Sequence, residues 1–355
     1  MYLQNLRLYH FRNYKDRFFS FSADLNCIVG KNGSGKTNLL DAVYFLALCK
    51  SAIHNQDQLS IRFEEDFCVV EGAFRSDRDE VIACHLPRQG KKTVTADKKV
   101  YEKLSDHIGK YPVVLIAPND TDLIRDGAET RRKLFDGILS QLYPDYLQTY
   151  LRYNKALDQR NSLLKQFAEQ AFFDPDLLKI YSDQIIQLGK QIFEARKRFI
   201  QEFVPLFNAH YADLSENREE VSLNYLSDLA RPDFEQNFYA NTERDLAAQR
   251  TTLGVHKDDY EFLMSGMPVK KFGSQGQRKS YIMALKLAQF DCIHREKGVK
   301  PILLLDDIFD KLDDRRIERL ITLIHTGTFG QVFITDARPE RTEEMLGAGV
   351  NFIRL

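Results

Sequence analysis

The stretch Gly30 Lys31 Asn32 Gly33 Ser34 Gly35 Lys36 Thr37 fills every fixed position of a G-x-x-x-x-G-K-[ST] phosphate loop. The residues before it, Leu25–Val29, are apolar and read as a buried strand. Those after it carry Leu39, Leu40, Val43, Leu46 and Ala47 at helical spacing up to residue 50. Strand, loop and helix in this order are the context the motif requires, and they set the fold class as α/β. The glycines let backbone N–H groups approach phosphate oxygens, and the helix start adds a partial positive charge. In this reading Gly30, Lys31, Asn32, Gly33, Ser34 and Gly35 cradle the phosphates of ATP. Lys36 reaches the β and γ phosphates, and the Thr37 hydroxyl holds Mg2+.

Working outward, residues 2–10 alternate apolar and polar side chains and 17–21 form a second strand-like piece. Between them lies the turn Phe11 Arg12 Asn13 Tyr14, expected to return to the phosphate loop. Short β-like runs at 67–70, 81–85 and 92–95, broken by polar turns, predict a small antiparallel lobe, and 111–117 is a continuous apolar strand. From about residue 130 the pattern becomes helical. Pro175 opens a helix whose Leu178, Tyr181, Ile185, Leu188, Ile192, Ala195 and Phe199 step by three and four, the spacing of a coiled-coil seam. These helices form either a paired arm or a bundle. At ~1.5 Å per residue an arm of about 30 residues spans roughly 45 Å. The expected division is therefore an N-terminal part of an ATPase head at 1–122, a helical arm or bundle at 123–250, and a C-terminal part of the head at 251–355.

Bulk composition narrows the classes. In 355 residues, 50 basic and 51 acidic side chains nearly cancel, so any nucleic-acid surface must be a local patch. The five cysteines have no metal-ligand spacing and sit mostly in apolar runs, which fits reduced thiols in a cytoplasmic setting. No apolar run reaches the ~20 residues of a membrane span, so neither export nor membrane insertion is expected.

Two further stretches carry chemistry. Ile302 Leu303 Leu304 Leu305 Asp306 Asp307 is an apolar strand ending in two carboxylates. Asp306 would support the metal held by Thr37, and Asp307 would face the water that attacks the γ phosphate. Before the helix predicted at 277–294 stands Phe272 Gly273 Ser274 Gln275 Gly276 Gln277 Arg278, a second oxyanion-binding helix start formed by Ser274 and the amides near Gly276. The first loop already surrounds one side of the triphosphate. A second cradle therefore implies a second subunit, since in ATPases of the ABC class a serine-glycine signature closes over the γ phosphate bound by the partner.

Gly254 Val255 His256 Lys257 Asp258 Asp259, the signature at Ser274 Gln275 Gly276 Gln277 Arg278, and Leu303 Leu304 Leu305 Asp306 Asp307 with Leu312 Asp313 resemble the C-terminal motifs of the RecF family of bacterial recombination mediators. Phe11 Arg12 Asn13 Tyr14, the continuation Asn38 Leu39 Leu40, Arg131 Arg132 Lys133 Leu134 Phe135 Asp136 and Gln159 Arg160 Asn161 Ser162 Leu163 Leu164 resemble the same family, in its order. The resemblance implies an ABC-type ATPase head with an antiparallel β lobe and an inserted helical domain. It further implies an ATP-dependent homodimer that binds duplex DNA near single-strand gaps and, with RecR and RecO, helps RecA replace single-strand binding protein. By likeness to related SMC heads, Arg12 would touch the bound phosphates, while Arg131 and Arg132 would meet DNA phosphates. His256 has either a supporting role at the site or a structural one beside Asp258 and Asp259.

The chain departs from the family at Ala52 Ile53 His54, where a basic residue is expected, and at Val255, where proline is frequent. Against the wider ABC class, Asp307 replaces the usual glutamate and Thr335 stands where histidine is common, so hydrolysis should be slow. Two other readings compete. A transporter's nucleotide-binding subunit carries its signature much sooner after the phosphate loop than Ser274 follows Thr37. An SMC-like tether needs a far longer arm.

Overall fold

A strand buried on both faces reads as a mainly apolar run, and Leu25–Val29, Ile302–Leu305 and Val332–Asp336 are buried throughout, with Asn26, Thr335 and Asp336 as their polar members. The computed structural model describes all residues except 77, 171, 217, 310–313 and 348, with the backbone alone for 314–316. Its strands are β1 (Tyr2–Phe11), β2 (Tyr14–Ser20), β3 (Leu25–Val29), β4 (Phe67–Arg75), β5 (Glu80–Pro87), β6 (Thr93–Ala96), β7 (Lys99–Val100), β8 (Val113–Ile116), β9 (Val221–Leu226), β10 (Asp259–Met264), β11 (Met267–Pro268), β12 (Ile302–Leu305), β13 (Val332–Asp336) and β14 (Asn351–Arg354). Its helices are α1 (Lys36–Leu48), α2 (Asp122–Arg125), α3 (Ala128–Leu142), α4 (Pro144–Gln170), α5 (Pro175–Ser215), α6 (Phe234–Ala240), α7 (Thr242–Ala248), α8 (Val269–Phe272), α9 (Gln275–Lys297), α10 (Asp314–His325) and α11 (Pro339–Leu346).

The chain forms two compact units, Met1–Asp120 with Lys279–Leu355, and Thr121–Arg278. In the first unit a five-stranded parallel sheet has the order β14-β3-β13-β12-β8, and a six-stranded antiparallel sheet runs β2-β1-β4-β5-β6-β7. The parallel sheet thus takes strands from both ends of the sequence, and β13 lies between the strand of the phosphate loop and the strand of the acids. Helix α1 packs on both sheets. Its approach to β4 is so close that a Cβ at Gly72 would stand 2.7 Å from the Leu46 side chain, so any larger residue there would force its neighbours to shift. Gln331 stitches the sheets together: its side-chain oxygen accepts from Leu3 N–H at 2.8 Å, and its amide donates to the Leu3 and Ser22 carbonyls, both at 2.8 Å. All five cysteines are buried free thiols.

In the second unit, Asp174 caps α5 by accepting from Leu177 N–H at 3.0 Å, with Pro175 in the first turn. α5 pairs with α4, and of the seam residues Leu178, Ile185, Leu188, Ile192 and Phe199 are buried while Tyr181 and Ala195 are half-buried. The unit is not purely helical. A three-stranded sheet β11-β10-β9 packs on α3 and α5. Because β10 pairs with β9 from Asp259↔Leu226 to Met264↔Val221, residues 251–278, which the motifs group with the head, join this unit instead. Among the described residues no helix is long and apolar enough to cross a membrane.

Candidate functional site

The phosphate loop leaves the C-terminal end of β3 and enters α1 through Gly35, whose φ of 110° lies in the left-handed region. A side chain there would also strike Asn13, whose amide nitrogen would stand 2.5 Å from the added Cβ. The tip of the β1–β2 hairpin does reach the loop. Asn13 Nδ2 donates to the Ser34 carbonyl at 3.2 Å, the Tyr14 hydroxyl donates to the Gly35 carbonyl at 3.0 Å, and Asn38 Nδ2 donates to Asn13 Oδ1 at 2.8 Å. Lys36 is buried, with Nζ donating to the Gly30 carbonyl at 2.8 Å and to that of Lys31 at 3.2 Å.

The acids after β12 come to the same place. Thr37 Oγ1 donates to Asp306 Oδ1 at 3.1 Å, across 269 positions of sequence. Thr335, at the end of β13, donates from Oγ1 to the same Asp306 oxygen at 2.8 Å and accepts from the Asp307 N–H at 2.8 Å. Burial raises the Asp306 carboxyl above its ordinary range, opposed by hydrogen bonds from Thr335 and Thr37. Asn32, Gly33, Gly35, Lys36, Thr37, Asn38, Asp306, Asp307 and Thr335 line a cavity of about 230 Å³. A hydroxyl and a carboxylate facing one point are the hard oxygen donors that Mg2+ prefers, so Thr37 and Asp306 fit this metal.

Arg12 does not line that cavity. Its guanidinium is held by Asp41 on α1, with Nη2 2.6 Å and Nε 3.0 Å from Oδ2, and Nη2 donates to Ser51 Oγ at 2.9 Å. Arg12 thus takes part in a buried ion pair with α1. Asp41 also accepts from Ala52 N–H at 2.7 Å, so it orders the segment where the chain departs from its family.

At the signature, Gln277 N–H donates to Ser274 Oγ at 3.2 Å while Ser274 N–H donates to Gln277 Oε1 at 2.7 Å. This reciprocal pair is a capping box, which fixes the start of α9 and leaves Ser274 exposed with its hydroxyl hydrogen uncommitted within the box. Leu312 and Asp313 lie outside the described residues.

The RecF/RecN/SMC N terminal domain family matches residues 2–352. A DNA replication and repair protein RecF from Flavobacterium johnsoniae is 46% identical over 347 residues, covering 98% of this chain and 97% of that protein. The chain belongs to the RecF family. A RecF of Bacteroides fragilis is 42% identical over 348 residues, covering 98% of this chain and 93% of that protein. In solved structures, the recombination mediator protein RecF-ATP in the RecFOR pathway superposes with a TM-score of 0.89 at 28% identity, over 95% of this chain and 92% of that one. An SMC head bound to the C-winged helix domain of ScpA shares the fold alone, with a TM-score of 0.54 at 18% identity, over 96% of this chain and 90% of that one. The architecture is an ABC-type P-loop ATPase head with an antiparallel β lobe and an inserted, mainly helical domain.

The remaining RecF-like motifs build the second unit. Arg131 forms a two-pronged ion pair with Asp259, at 2.8 and 3.0 Å, and Arg132 Nη1 donates to the Asp258 carbonyl at 2.7 Å. These bonds tie α3 to the residues entering β10. Buried Arg160 binds Ser182, Asp245 and Thr251 at 3.0, 2.7 and 2.7 Å. His256 is structural: Nε2–H donates to the Thr251 carbonyl at 3.0 Å, so Nδ1 accepts from the Tyr153 hydroxyl at 2.8 Å.

Burial pushes the His256 imidazole down from 6.5 to about 4. Between these values the unfolded chain takes up a proton that the folded chain refuses. The His256 contribution to stability is therefore fully present above pH 6.5 and is lost as the pH drops towards 4, by up to about 3 kcal/mol. Urea midpoints should decline between pH 7.5 and pH 5, and His256→Gln should flatten that decline. An identical decline in the variant would contradict the assignment.

Proposed function

We propose that the chain is an ATP-dependent DNA-binding protein of replication and recombinational repair, with slow ATPase activity. The observation that carries this reading is the 3.1 Å contact between Thr37 and Asp306, which joins the phosphate loop from one end of the chain to the acids from the other. In this reading residues 30–35 cradle the triphosphate with backbone N–H groups and Lys36 turns from the loop carbonyls to the β and γ phosphates. Thr37 and Asp306 hold Mg2+, which when bound neutralises charge on the phosphate oxygens. Asp307 orients the attacking water and accepts its proton. Its side chain is one methylene shorter than glutamate, which fits slow turnover.

Ser274 and the start of α9 in a second copy, with the amides near Gly276, close over the γ phosphate, so the nucleotide completes a homodimer. That dimer grips duplex DNA beside single-strand gaps and, with RecO and RecR, helps load RecA in the cytoplasm. The RecFOR setting of the RecF-ATP structure and the repair names of the relatives support this reading. Arg131 and Arg132 remain the candidate contacts to DNA phosphates, Arg132 with only its Nη1 engaged among the described residues.

Lys36→Met removes the one side-chain cation of the phosphate loop's G-K-[ST] end. Charge-assisted hydrogen bonds contribute about 1.5–3 kcal/mol, so fluorescent-ATP affinity should fall roughly ten- to a hundredfold at fixed Mg2+. Unchanged affinity would refute the nucleotide site. In the parent chain, ATP should tighten duplex binding measured by anisotropy and added salt should weaken it, whereas affinity indifferent to nucleotide would separate the two activities.

A further inference from the structure

We propose that Thr335 is a positioning residue of the hydrolytic site, one hydroxyl setting the relative placement of the metal-side acid Asp306 and the water-side acid Asp307. The inference rests on the ATPase reading above. Strand β13 lies between β3, which leads into the phosphate loop, and β12, which ends in the acids. Its C-terminal end is therefore where one side chain can serve both, and Thr335 is paired with Ile28 of β3 and fully buried.

The direction of each hydrogen bond is fixed by chemistry. The Asp307 N–H can only donate, so Thr335 Oγ1 accepts there and spends its own hydrogen on Asp306 Oδ1, both at 2.8 Å. Asp307 stands at φ 50°, a left-handed conformation that L side chains with a Cβ adopt at a cost. Something must hold it there. The bond from Thr335 grips the amide of that residue and thereby fixes where its carboxylate leaves the chain. A β-branched residue on a strand has few χ1 choices, so the hydroxyl is itself held in place. Thr37 puts its hydroxyl on the same Asp306 oxygen, at 3.1 Å, which extends the chain of contacts from the phosphate loop through Asp306 and Thr335 to Asp307.

Thr335→Val keeps the shape of the side chain and removes both bonds, while Thr335→Ser keeps the hydroxyl. A misplacement of catalytic groups on the ångström scale costs on the order of a hundredfold, so kcat in Thr335→Val should fall roughly ten- to a hundredfold while KM for ATP changes less than about threefold. Thr335→Ser should recover most of kcat. A second readout needs neither nucleotide nor Mg2+: protection of the Asp307 amide against hydrogen exchange should fall in Thr335→Val and persist in Thr335→Ser, with circular dichroism confirming that both fold. Unchanged kcat or unchanged amide protection in Thr335→Val, or an equal loss of both in Thr335→Ser, would overturn the proposal. Parent protein that binds and turns over no ATP would refute the ATPase reading instead, and the exchange comparison would still decide the role of Thr335.

Discussion

Asp307→Asn is expected to lower the rate of ATP hydrolysis by about two to four orders of magnitude while leaving ATP affinity close to that of the parent. The substitution keeps the side-chain shape, the metal-side carboxylate of Asp306 and the backbone N–H that Thr335 holds. It removes the one charge that can accept a proton from the attacking water. Binding should survive because Lys36, Thr37 and the loop amides are untouched, and a nucleotide that binds without being cleaved should leave the dimer closed. The checks are phosphate release under single-turnover conditions and the mass of the complex after ATP is added. Turnover at the parent's rate would move the water-activating role to another group.

Arg196→Ala is expected to destabilise the fold by about 3–5 kcal/mol. Arg196 is almost fully buried and lies between two carboxylates: it meets Asp136 at 3.0 Å through both Nε and Nη2, and Asp258 at 2.7 Å through Nη1, with Nη1 also donating to the Val255 carbonyl at 2.8 Å. Asp136 accepts further from the Tyr146 hydroxyl at 2.6 Å and Asp258 from Tyr225. Burial already raises the Asp258 carboxyl above its ordinary range, against the pull of Arg196. Without the guanidinium two buried acids would face each other with no cation between them. Since the chain has no tryptophan, urea unfolding is best followed by far-ultraviolet circular dichroism. A loss below about 1 kcal/mol, the range of an exposed pair, would contradict this account of the network.

The phosphate loop, the acid pair, the signature and the order of strands and helices were legible in the sequence because each is written in consecutive residues at fixed spacing. Partners across the chain were not. Arg131 and Arg132 look like a basic helix face in isolation, and their contacts to Asp259 and the Asp258 carbonyl come from more than a hundred positions later. Nothing local marks Asp41 as the partner of Arg12. The stretches of β9 and β10 were visible as breaks in the helical pattern, but their pairing was not, and the motif residue Asp259 drew β10 toward the head. Asn13 and Tyr14 were foreseen only as a turn near the loop. Their hydrogen bonds to Ser34 and Gly35 depend on how the hairpin packs against the loop. For Thr335 the position at a strand end was visible, yet its double bond to the acids follows from strand order, which sequence alone does not state.

The central claim, that ATP is bound in a site completed by a second copy of the chain, is tested most directly by sedimentation velocity with and without ATP and Mg2+, on the parent and on Ser274→Arg. The account predicts a monomer without nucleotide and a dimer with it for the parent, and a monomer under both conditions for Ser274→Arg, whose bulk and charge would block closure over the γ phosphate. A parent mass indifferent to ATP, or a Ser274→Arg chain that dimerises as the parent does, would contradict it.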